Sequence, residues 1–458
     1  MARAPARPTR AARALLTCAL CATGLPAAEV APPAPSLPPT QSLTLSDARA
    51  QAMRNHPRIS MAELDTLVAV EETRIARSAY LPTVTAYGTV VRASQDNTRI
   101  TAGGINNPSV FDREAVGLAA TQLITDFGRT SSLIDTVRLH AEAQAQDAVA
   151  VRRDVLLEVD LAFFRALKSQ AMLQVADETL RARQLLVDRV DGMVANKLKS
   201  ELDASFAKVD LEEAQILKAS LANQQEAAQL ALQTLIGRAD AVPLTLVEEP
   251  TPPLPAGKPD AFVTSALAHD PRIAELRLEL DAARRSRDAS DDLDYPTLSA
   301  MGVAGLTADH DPRLADTYLA GGLNLSVPLY TGHLISSRQR QAELRMRRAG
   351  EQLRQAMLEV PRQVRTAYSD LGYAFERLGL TAKLLAQATQ ALELAQARYD
   401  LGTTSVIEIS QAQLAKTQAE ISQSGAKEDY LSRLAVFTYA LGTDQLLEGT
   451  PSRAPAGN

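Results

Sequence analysis

Cysteine is confined to the first residues of the chain. The 458 residues include two cysteines, Cys18 and Cys21, and no tryptophan. Both cysteines lie in an N-terminal segment where several arginines precede an apolar stretch at residues 14–25, a pattern typical of a secretory leader. We expect a signal peptide at residues 1–28, with lipid attachment at Cys18 as an alternative. The mature chain then has no disulfide, cysteine-bound metal or thiol nucleophile.

Long apolar runs are absent after the leader, which argues against a membrane-spanning helix but leaves amphipathic membrane strands open. The net charge of -6 is mild and argues against a nucleic-acid partner. The sequence contains no phosphate-binding loop and no serine-hydrolase elbow. The five histidines lack the spacing of metal ligands. We therefore expect a protein that is not an enzyme and that holds no cofactor and no metal.

Glycine and proline are missing from two long stretches, Arg129 to Asp191 and Met193 to Ile236. Because both residues interrupt helices, these stretches predict unusually long helices, and the first could extend for roughly 95 Å. Apolar residues recur at steps of three and four, which predicts one buried stripe per helix. Runs rich in alanine would let neighbouring helices approach closely, as coiled coils require.

The chain is a tandem duplication. The segment 55–59, which contains His56-Pro57, recurs at 269–273, and its proline returns 214 positions later as Pro271. Further along, residues 235–237 recur 205 positions later at 440–442. Each copy predicts a short helix, at Ala62 to Ala79 or at Ile273 to Ala289, then a hairpin, a long helix, a turn and a return helix. The predicted organisation is a signal peptide at 1–28, a proline-rich segment at 29–42, a first repeat at 43–242, a proline-rich linker at 243–258, a second repeat at 259–442 and a tail at 443–458.

In four segments, residues of different character alternate at every second position, as they do in β-strands. The pattern is clear at Val84 to Val90 and at Gly321 to Val327, and weaker at 116–120 and 298–304. Aromatic residues lie near the segment ends, where a membrane girdle belongs: Tyr80, Phe127, Tyr295, Tyr318 and Tyr330. A soluble four-stranded sheet covered by helices remains an alternative. In a membrane, four strands leave two open edges, so three chains would have to close a barrel of twelve strands.

The turn between the second pair of long helices carries the most specific motif. Residues 398–405 read Arg-Tyr-Asp-Leu-Gly-Thr-Thr-Ser, and the first copy has its counterpart at 193–203. These turns, with the duplicated helix–hairpin–helix units and the leader, resemble the TolC outer-membrane efflux family. Leu401 replaces the valine usual in that family, and Lys197 stands where the family has glycine. Asn196, beside Lys197, is the residue expected to adopt the left-handed conformation of the first turn.

The resemblance implies a mainly α fold with a small β part. Very long coiled-coil helices would form an α-barrel, and four β-strands per chain would contribute to a trimeric 12-stranded transmembrane β-barrel. It implies a homotrimer in outer-membrane lipid that extends into the periplasm, meets a periplasmic adaptor (a membrane fusion protein) and receives cargo from an inner-membrane pump of the ABC or RND type. It assigns adaptor docking to the tips, Asn196, Lys197, Leu198, Leu401, Gly402 and Thr403, and an iris-like periplasmic gate to Asp203, Tyr399, Glu408 and Gln411.

Two other classes explain part of the sequence. A periplasmic coiled-coil scaffold accounts for the helices and the leader but not for the duplicated hairpins. A periplasmic adaptor also has long hairpin helices, but it needs flanking β-rich domains that this sequence lacks. For the gate and tip residues, a plain role in capping or solvating helix ends stays open beside the functional one. The sequence does not distinguish drug or metal efflux from protein secretion.

Overall fold

The computed structural model describes residues 41–92, 98–99, 109–110, 113–238, 244–309 and 315–442. The predicted signal peptide, most of the proline-rich N-terminal segment and the predicted tail at 443–458 lie outside the described residues. The following statements concern the described residues.

Eight α-helices form two series of equal lengths, 11, 21, 67 and 35 residues in each half of the chain. The first series is α1 (Leu45–Asn55), α2 (Pro57–Arg77), α3 (Arg129–Ala195) and α4 (Glu201–Leu235). The second is α5 (Pro259–His269), α6 (Pro271–Asp291), α7 (Leu334–Asp400) and α8 (Val406–Ala440). The long helices α3 and α7 would each extend for about 100 Å.

The repeated proline motif starts a helix in each half. Pro57 and Pro271 are the first residues of α2 and α6, where proline has no helical hydrogen bond to lose. Each is preceded by a capping side chain: His56 Nδ1 accepts from the Arg58 amide at 3.2 Å, and Asp270 Oδ1 accepts from the Arg272 amide at 2.9 Å. The helices expected to contain Ala62 to Ala79 and Ile273 to Ala289 are present, although α2 ends at Arg77. The short helices before them, α1 and α5, were not predicted.

The four predicted strands form one antiparallel sheet. They are β2 (Thr83–Val91), β5 (Arg113–Thr125), β7 (Thr297–Asp309) and β8 (Thr317–Ser326), in the order β2-β5-β7-β8. The two strands with the weaker sequence pattern, β5 and β7, are the longer ones and occupy the centre. Two small sheets were not predicted: β1 (Gln41–Leu43) pairs with β6 (Leu244–Leu246), and β3 (Thr98–Arg99) with β4 (Ser109–Val110).

The sheet has one apolar and one hydroxyl-rich face. The apolar face carries Val84, Val90, Val116, Leu118, Leu306, Leu319, Leu323 and Leu325, whose exposed fractions run from 52% to 86%. The opposite face, by strand alternation, carries Thr83, Thr85, Tyr87, Thr89, Thr121, Ser299, Asn324 and Ser326. No described helix is both long and apolar enough to cross a membrane.

A row of four residues crosses the hydroxyl-rich face. In register they are Tyr87 on β2, Gly117 on β5, Gly305 on β7 and Tyr318 on β8. The two tyrosine hydroxyls meet at 2.6 Å above the glycines. A Cβ atom at Gly305 would collide with the Tyr318 hydroxyl, and one at Gly117 would collide with the same group. The two outer strands of the sheet are thus linked across the inner two, and glycine leaves the space for that link.

The helical layer follows the order of the strands. Helix α3 packs against α2, α4, α6 and α8, and α6 packs against α7. The main core lies where α3, α5, α7 and α8 meet and includes Phe163, Phe164 and Phe437. Phe262 meets Phe437 edge to face, with ring centroids 5.1 Å apart. The order α2-α3-α6-α7 leaves α2 and α7 at the two edges of the layer, beneath the edge strands β2 and β8.

We expect Gly305→Ala to destabilise the sheet by about 1–3 kcal/mol, because the added methyl must displace Tyr318 from the row. Gly302→Ala on the same strand is the matched control, since its nearest neighbouring atom would be 3.8 Å away. Thermal unfolding of the two variants measures the difference. Equal unfolding temperatures would show that the row does not constrain the sheet.

Candidate functional site at the helical turns

Both long hairpins reverse through the same backbone motif. After α3 the amide of Leu198 bonds to the Met193 carbonyl at 2.8 Å, and after α7 the amide of Thr403 bonds to the Arg398 carbonyl at 2.9 Å. In each turn this bond joins an amide to the carbonyl five residues earlier and encloses a second backbone bond of shorter sequence separation. The two bonds together form the Schellman motif that ends many helices. It needs one residue with positive φ, and Gly402 supplies it with φ 73°.

The first turn departs from the sequence expectation. Lys197 itself takes the left-handed conformation, with φ 61°, while Asn196 has φ −89°. The prediction that Asn196 would adopt it was wrong. Asn196 instead donates its side-chain amide to the Gly192 carbonyl at 2.8 Å, which satisfies one of the last helical carbonyls. Lys197 therefore occupies the glycine position of the motif with a strained backbone.

The predicted docking residues lie on the outside of these turns. Asn196, Lys197, Leu198, Leu401, Gly402 and Thr403 are all exposed. Leu198 is 73% exposed and Leu401 is 78% exposed, so each turn presents a solvent-exposed leucine at its end. Exposed leucine at a helix reversal is not needed for capping, because the backbone bonds already complete that task.

A small core joins the two hairpins just above the turns. It contains Leu186, Val187, Val190, Ala204, Ala207, Tyr399, Val406 and Ile409, contributed by α3, α4, α7 and α8. Tyr399 is its largest side chain and is 2% exposed. The structure therefore brings the predicted gate residue Tyr399 into contact with the first hairpin.

Asp203 and Tyr399 are not hydrogen-bonded to each other. Asp203 caps α4: its carboxylate accepts the Ser200 hydroxyl at 2.8 Å and the Ser200 amide at 3.2 Å. The Tyr399 hydroxyl is buried without a partner. Burial, with a smaller effect from the Asp203 charge, raises the Tyr399 pKa above its ordinary value. Lys199 Nζ lies 4.7 Å from the centre of the Tyr399 ring, a cation–π contact that spans the two hairpins.

The remaining gate candidates sit near the second turn. Glu408 accepts a hydrogen bond from Arg398 Nη1 at 2.6 Å and another from the Thr404 hydroxyl. Its side chain is 43% exposed. Gln411 lies one turn further along α8 and is exposed. Glu408 thus faces solvent with an arginine beside it, which reduces the field that its charge can exert.

The sequence did not predict a buried polar contact between the hairpins. Arg183 on α3 is 6% exposed. Its guanidinium donates to Asp210 on α4 at 2.9 Å, and on α8 to the Ser410 hydroxyl at 3.0 Å and to Gln413 at 2.7 Å. The Ser410 hydroxyl also donates to Asp210. We refer to Arg183, Asp210, Ser410 and Gln413 as the Arg183 cluster. It fastens the second hairpin to the first through a single buried cation.

Burial sets the electrostatics of this cluster. Desolvation raises the pKa of Asp210 above its ordinary value, although the positive Arg183 beside it acts in the opposite direction. Desolvation likewise lowers the pKa of Arg183, with Asp210 opposing that effect. The contact between Arg183 and Asp210, together with hydrogen bonds to the neutral side chains around them, stabilises both charges. Removing Asp210 would leave Arg183 as a buried cation without a counter-charge, and removing Arg183 would leave the partly buried Asp210 carboxylate without one.

A signal for Arg183 exists in the sequence. Arg183, Leu186, Val187 and Val190 follow the three- and four-residue steps of a buried helical stripe. A charged residue at an interior position of such a stripe predicts a buried polar contact. Its partners lie on two other helices, at 210, 410 and 413, and no local pattern in the sequence points to them.

Metal chemistry has no geometric support here. In the described ranges, no group of three or more histidine, cysteine, aspartate or glutamate side chains is arranged to hold a metal ion. The structure instead shows an assembly of helices with exposed apolar turns, a buried polar contact between hairpins and an amphipathic sheet.

Comparison with known proteins agrees with this architecture. The family described as outer membrane efflux protein matches residues 48–238 and 262–443. The chain is 22% identical over 419 residues to the outer membrane protein TolC of Salmonella enteritidis, covering 88% of this chain and 83% of that one. It is 25% identical over 433 residues to the alkaline protease secretion protein AprF of Pseudomonas aeruginosa, covering 88% and 85%. A membrane protein from Pseudomonas aeruginosa shares its fold, with a TM-score of 0.77, 22% identity and coverage of 87% and 90%.

The chain belongs to the outer membrane efflux protein family. It is an exit duct in the outer membrane of an efflux or type I secretion system, and it extends into the periplasm. Its role is transport. The helical layer and the sheet described above are the two parts of that duct.

We expect Arg183→Met to destabilise the packing of the hairpins by about 3 kcal/mol, because Asp210 loses its buried partner. Arg189→Met is the matched control: its ion pair with Asp400 joins the same two hairpins, through α3 and α7, but the two side chains are 46% and 53% exposed, so the loss should stay below about 1 kcal/mol. Urea unfolding followed by circular dichroism compares the two. A control effect as large as that of Arg183→Met would contradict a special role for the cluster.

Proposed function

We propose that three copies of this chain form the duct and that the Arg183 cluster holds its periplasmic end closed. The observation that carries the proposal is the sheet: among the described residues its edge strands β2 and β8 pair on one side only, and its apolar face is exposed. Open strand edges are costly in lipid, where no water satisfies their backbone groups, and an exposed apolar face is costly in water. Four strands are too few to enclose a channel. Pairing β8 of one copy with β2 of the next, three times over, removes every edge in a barrel of twelve strands.

Closure at the periplasmic end follows from the contacts between hairpins. Helix α8 is tied to α3 and α4 by the Arg183 cluster, and α7 joins the first hairpin through the core around Tyr399. An opening in which the hairpins separate has to break these contacts together. A partner that binds the separated hairpins more tightly would shift the equilibrium towards the open duct.

The exposed turns are the surface on which such a partner would act. Leu198 and Leu401 place an exposed apolar side chain at the end of each of the two helical turns, so a trimer would present six such ends. We assign these ends to docking of a periplasmic adaptor, which connects the duct to an inner-membrane pump of the ABC or RND type. The likeness to AprF, named for alkaline protease secretion, supports secretion as one use of such a duct.

The assembly is tested by extracting the membranes with detergent and measuring the mass of the purified protein before and after heating. We expect a trimer that becomes monomeric on heating and that conducts ions after reconstitution into a bilayer. A protein recovered without detergent as a monomer that conducts no ions would support the periplasmic scaffold instead.

We expect Glu408→Gln to reduce the preference of the channel for cations, since three copies lose three carboxylates near the closed end. The reduction should be modest, because Arg398 already offsets each charge. Reversal potentials in a salt gradient measure it. Glu212→Gln, an exposed change on α4, is the control and should leave the reversal potential unchanged. An unchanged value for Glu408→Gln would place this carboxylate away from the ion path.

We expect Leu198→Asp combined with Leu401→Asp to abolish adaptor capture and export while leaving the trimer and its conductance intact, because a charge at the docking contact must be desolvated. Leu358→Asp, on α7 far from the turns, is a control of similar exposure at 70%. Co-purification with the adaptor and an export assay give the comparison. Undiminished capture by the double variant would assign docking to another surface.

A further inference from the structure

A cavity lies beside the midpoint of α3, where this helix meets α7 and α8. Its volume is about 590 Å³, which falls in the range of cavities that hold small organic molecules. Apolar side chains form part of its lining: Leu161 and Phe164 on α3, and Val436 on α8. We call it the Arg165 cavity, after another residue that lines it. Its walls belong to one chain, so it is complete without a neighbouring copy.

Basic side chains outnumber acidic ones around this cavity. The basic residues are Arg165, Lys168, Arg377 and Arg433, and the acidic residues are Asp370, Glu428 and Asp429. The Asp429 carboxylate accepts from Lys168 at 2.9 Å and from Arg377 at 3.0 Å. The Asp370 carboxylate accepts from Arg433 at 3.1 Å. Arg165 is exposed and makes no hydrogen bond or ion pair with the described residues. Guanidinium donors therefore remain available to an anion.

Gly425 on α8 gives Lys168 its position. A Cβ atom at residue 425 would lie 2.9 Å from Lys168 Cε, so a larger residue would push the lysine side chain away. Glycine inside a helix costs about 1 kcal/mol relative to alanine. Here it permits the close approach of α3 and α8, which brings the ammonium group to the edge of the cavity.

Glu428 is the buried acidic residue of the cavity. It is 4% exposed, and its Oε2 atom is buried without a hydrogen-bond partner among the described residues. The charged groups around it are the other charged residues of the cavity, together with Lys427 on α8 and Glu248 in the linker. Burial raises the pKa of Glu428 above its ordinary value; the Lys427 and Lys168 charges oppose this effect, and the Glu248 charge adds to it. A carboxylate in such a place takes up a proton more readily than one in water.

The cavity opens on one face of the helical layer, and the linker covers the opposite face. There the Tyr430 hydroxyl donates to the Pro252 carbonyl at 2.9 Å, and Lys427 Nζ donates to Glu248 at 2.6 Å. At about 100° per residue, the cavity residues of α8 lie on the other side of that helix. They are Asp429, Ser432 and Val436. In the proposed duct the linker has to lie outside, because inside it would obstruct the channel. The cavity then opens towards the channel.

We propose that the Arg165 cavity binds a small organic anion that enters the channel. The carboxylate of the ligand contacts Arg165 and the free donors of Arg377 and Arg433, and its apolar part lies against Leu161 and Val436. A bare inorganic ion would fill little of the cavity and would leave that apolar wall in water. The statement that the ligand arrives through the channel rests on the proposed duct. The binding site itself does not, because one chain forms all of its walls.

Protonation of Glu428 strengthens this binding, because it removes an acidic charge that makes no ion pair with the described residues. Asp429 and Asp370 keep their basic partners. Because the pKa of Glu428 is raised, it takes up its proton at a less acidic pH than a carboxyl group in water does. The affinity for the anion therefore increases as the pH falls through that range and decreases as the pH rises.

The first test measures binding of radiolabelled benzoate to the purified, detergent-solubilised protein by equilibrium dialysis. We expect saturable binding of one molecule per chain that benzamide, which has a similar shape and no charge, does not displace. Arg165→Gln should weaken the binding roughly tenfold, because a hydrogen bond between charged groups is lost. Arg181→Gln is the matched control: Arg181 is exposed on the same helix, makes no hydrogen bond or ion pair with the described residues and lies outside the cavity.

The absence of saturable binding, or equal affinity of the Arg165→Gln variant and the wild type, overturns the proposal. Inorganic phosphate that binds as tightly as benzoate overturns the assignment to an organic anion.

Dialysis at several pH values tests the role of Glu428. We expect the wild-type affinity to increase as the pH is lowered from mildly alkaline to mildly acidic, a range in which benzoate stays ionised. Glu428→Gln should bind tightly throughout, because glutamine is always neutral. A Glu428→Gln variant that keeps the pH dependence of the wild type refutes the role of this residue.

Single-channel recording separates the site from the duct. Benzoate should reduce the conductance of reconstituted trimers at the concentrations that saturate binding, and Arg165→Gln should shift this effect to higher concentrations. Binding without any effect on conductance would place the cavity away from the channel. Saturable binding to a protein that never forms trimers would refute the proposed duct and leave the site. A conducting trimer that binds no benzoate would refute the site and leave the duct.

Discussion

The burial of one apolar stripe along α3 is the constraint on which the rest of the structure depends. This helix packs against α2, α4, α6 and α8, so both repeats are assembled around it. A helix covered on several sides over 67 residues tolerates neither a break nor a bulky side chain at its closest contacts. The long stretch without glycine or proline and the frequent alanines both follow from that.

The sequence predicted the elements whose signals are periodic and long. The helices α2, α3, α4, α6 and α8 and the four strands of the main sheet follow from spacing alone. The duplication also predicted α7, which continues through Pro361 because packing along the rest of the helix outweighs one lost hydrogen bond. The short helices α1 and α5 and the pair β1–β6 are stabilised by tertiary contacts, which local patterns do not record.

The site was less predictable than the fold, because its geometry depends on residues far apart in sequence. The turn motif located the exposed leucines, but it did not show that Lys197 takes the left-handed conformation in place of Asn196. The Asp203 carboxylate is engaged as a helix cap, and the Tyr399 hydroxyl is left without a partner. Arg183 could be noticed as a charge inside an apolar stripe. Its partners on α4 and α8 required the three-dimensional structure.

The Arg183 cluster also breaks the internal symmetry of the chain. Beyond the sheet the two repeats correspond at a displacement of 205 residues, from Arg129 to Leu334. The positions equivalent to Arg183 and Asp210 are Ala388 and Ala415, so only one repeat has the buried ion pair. In the proposed trimer, three chains with two repeats each would form a ring whose backbone has six similar repeats but which contains only three Arg183 clusters. The junction between the two hairpins of one chain would therefore differ from the junction between neighbouring chains, and we expect the two kinds of junction to separate at different stages when the ring widens.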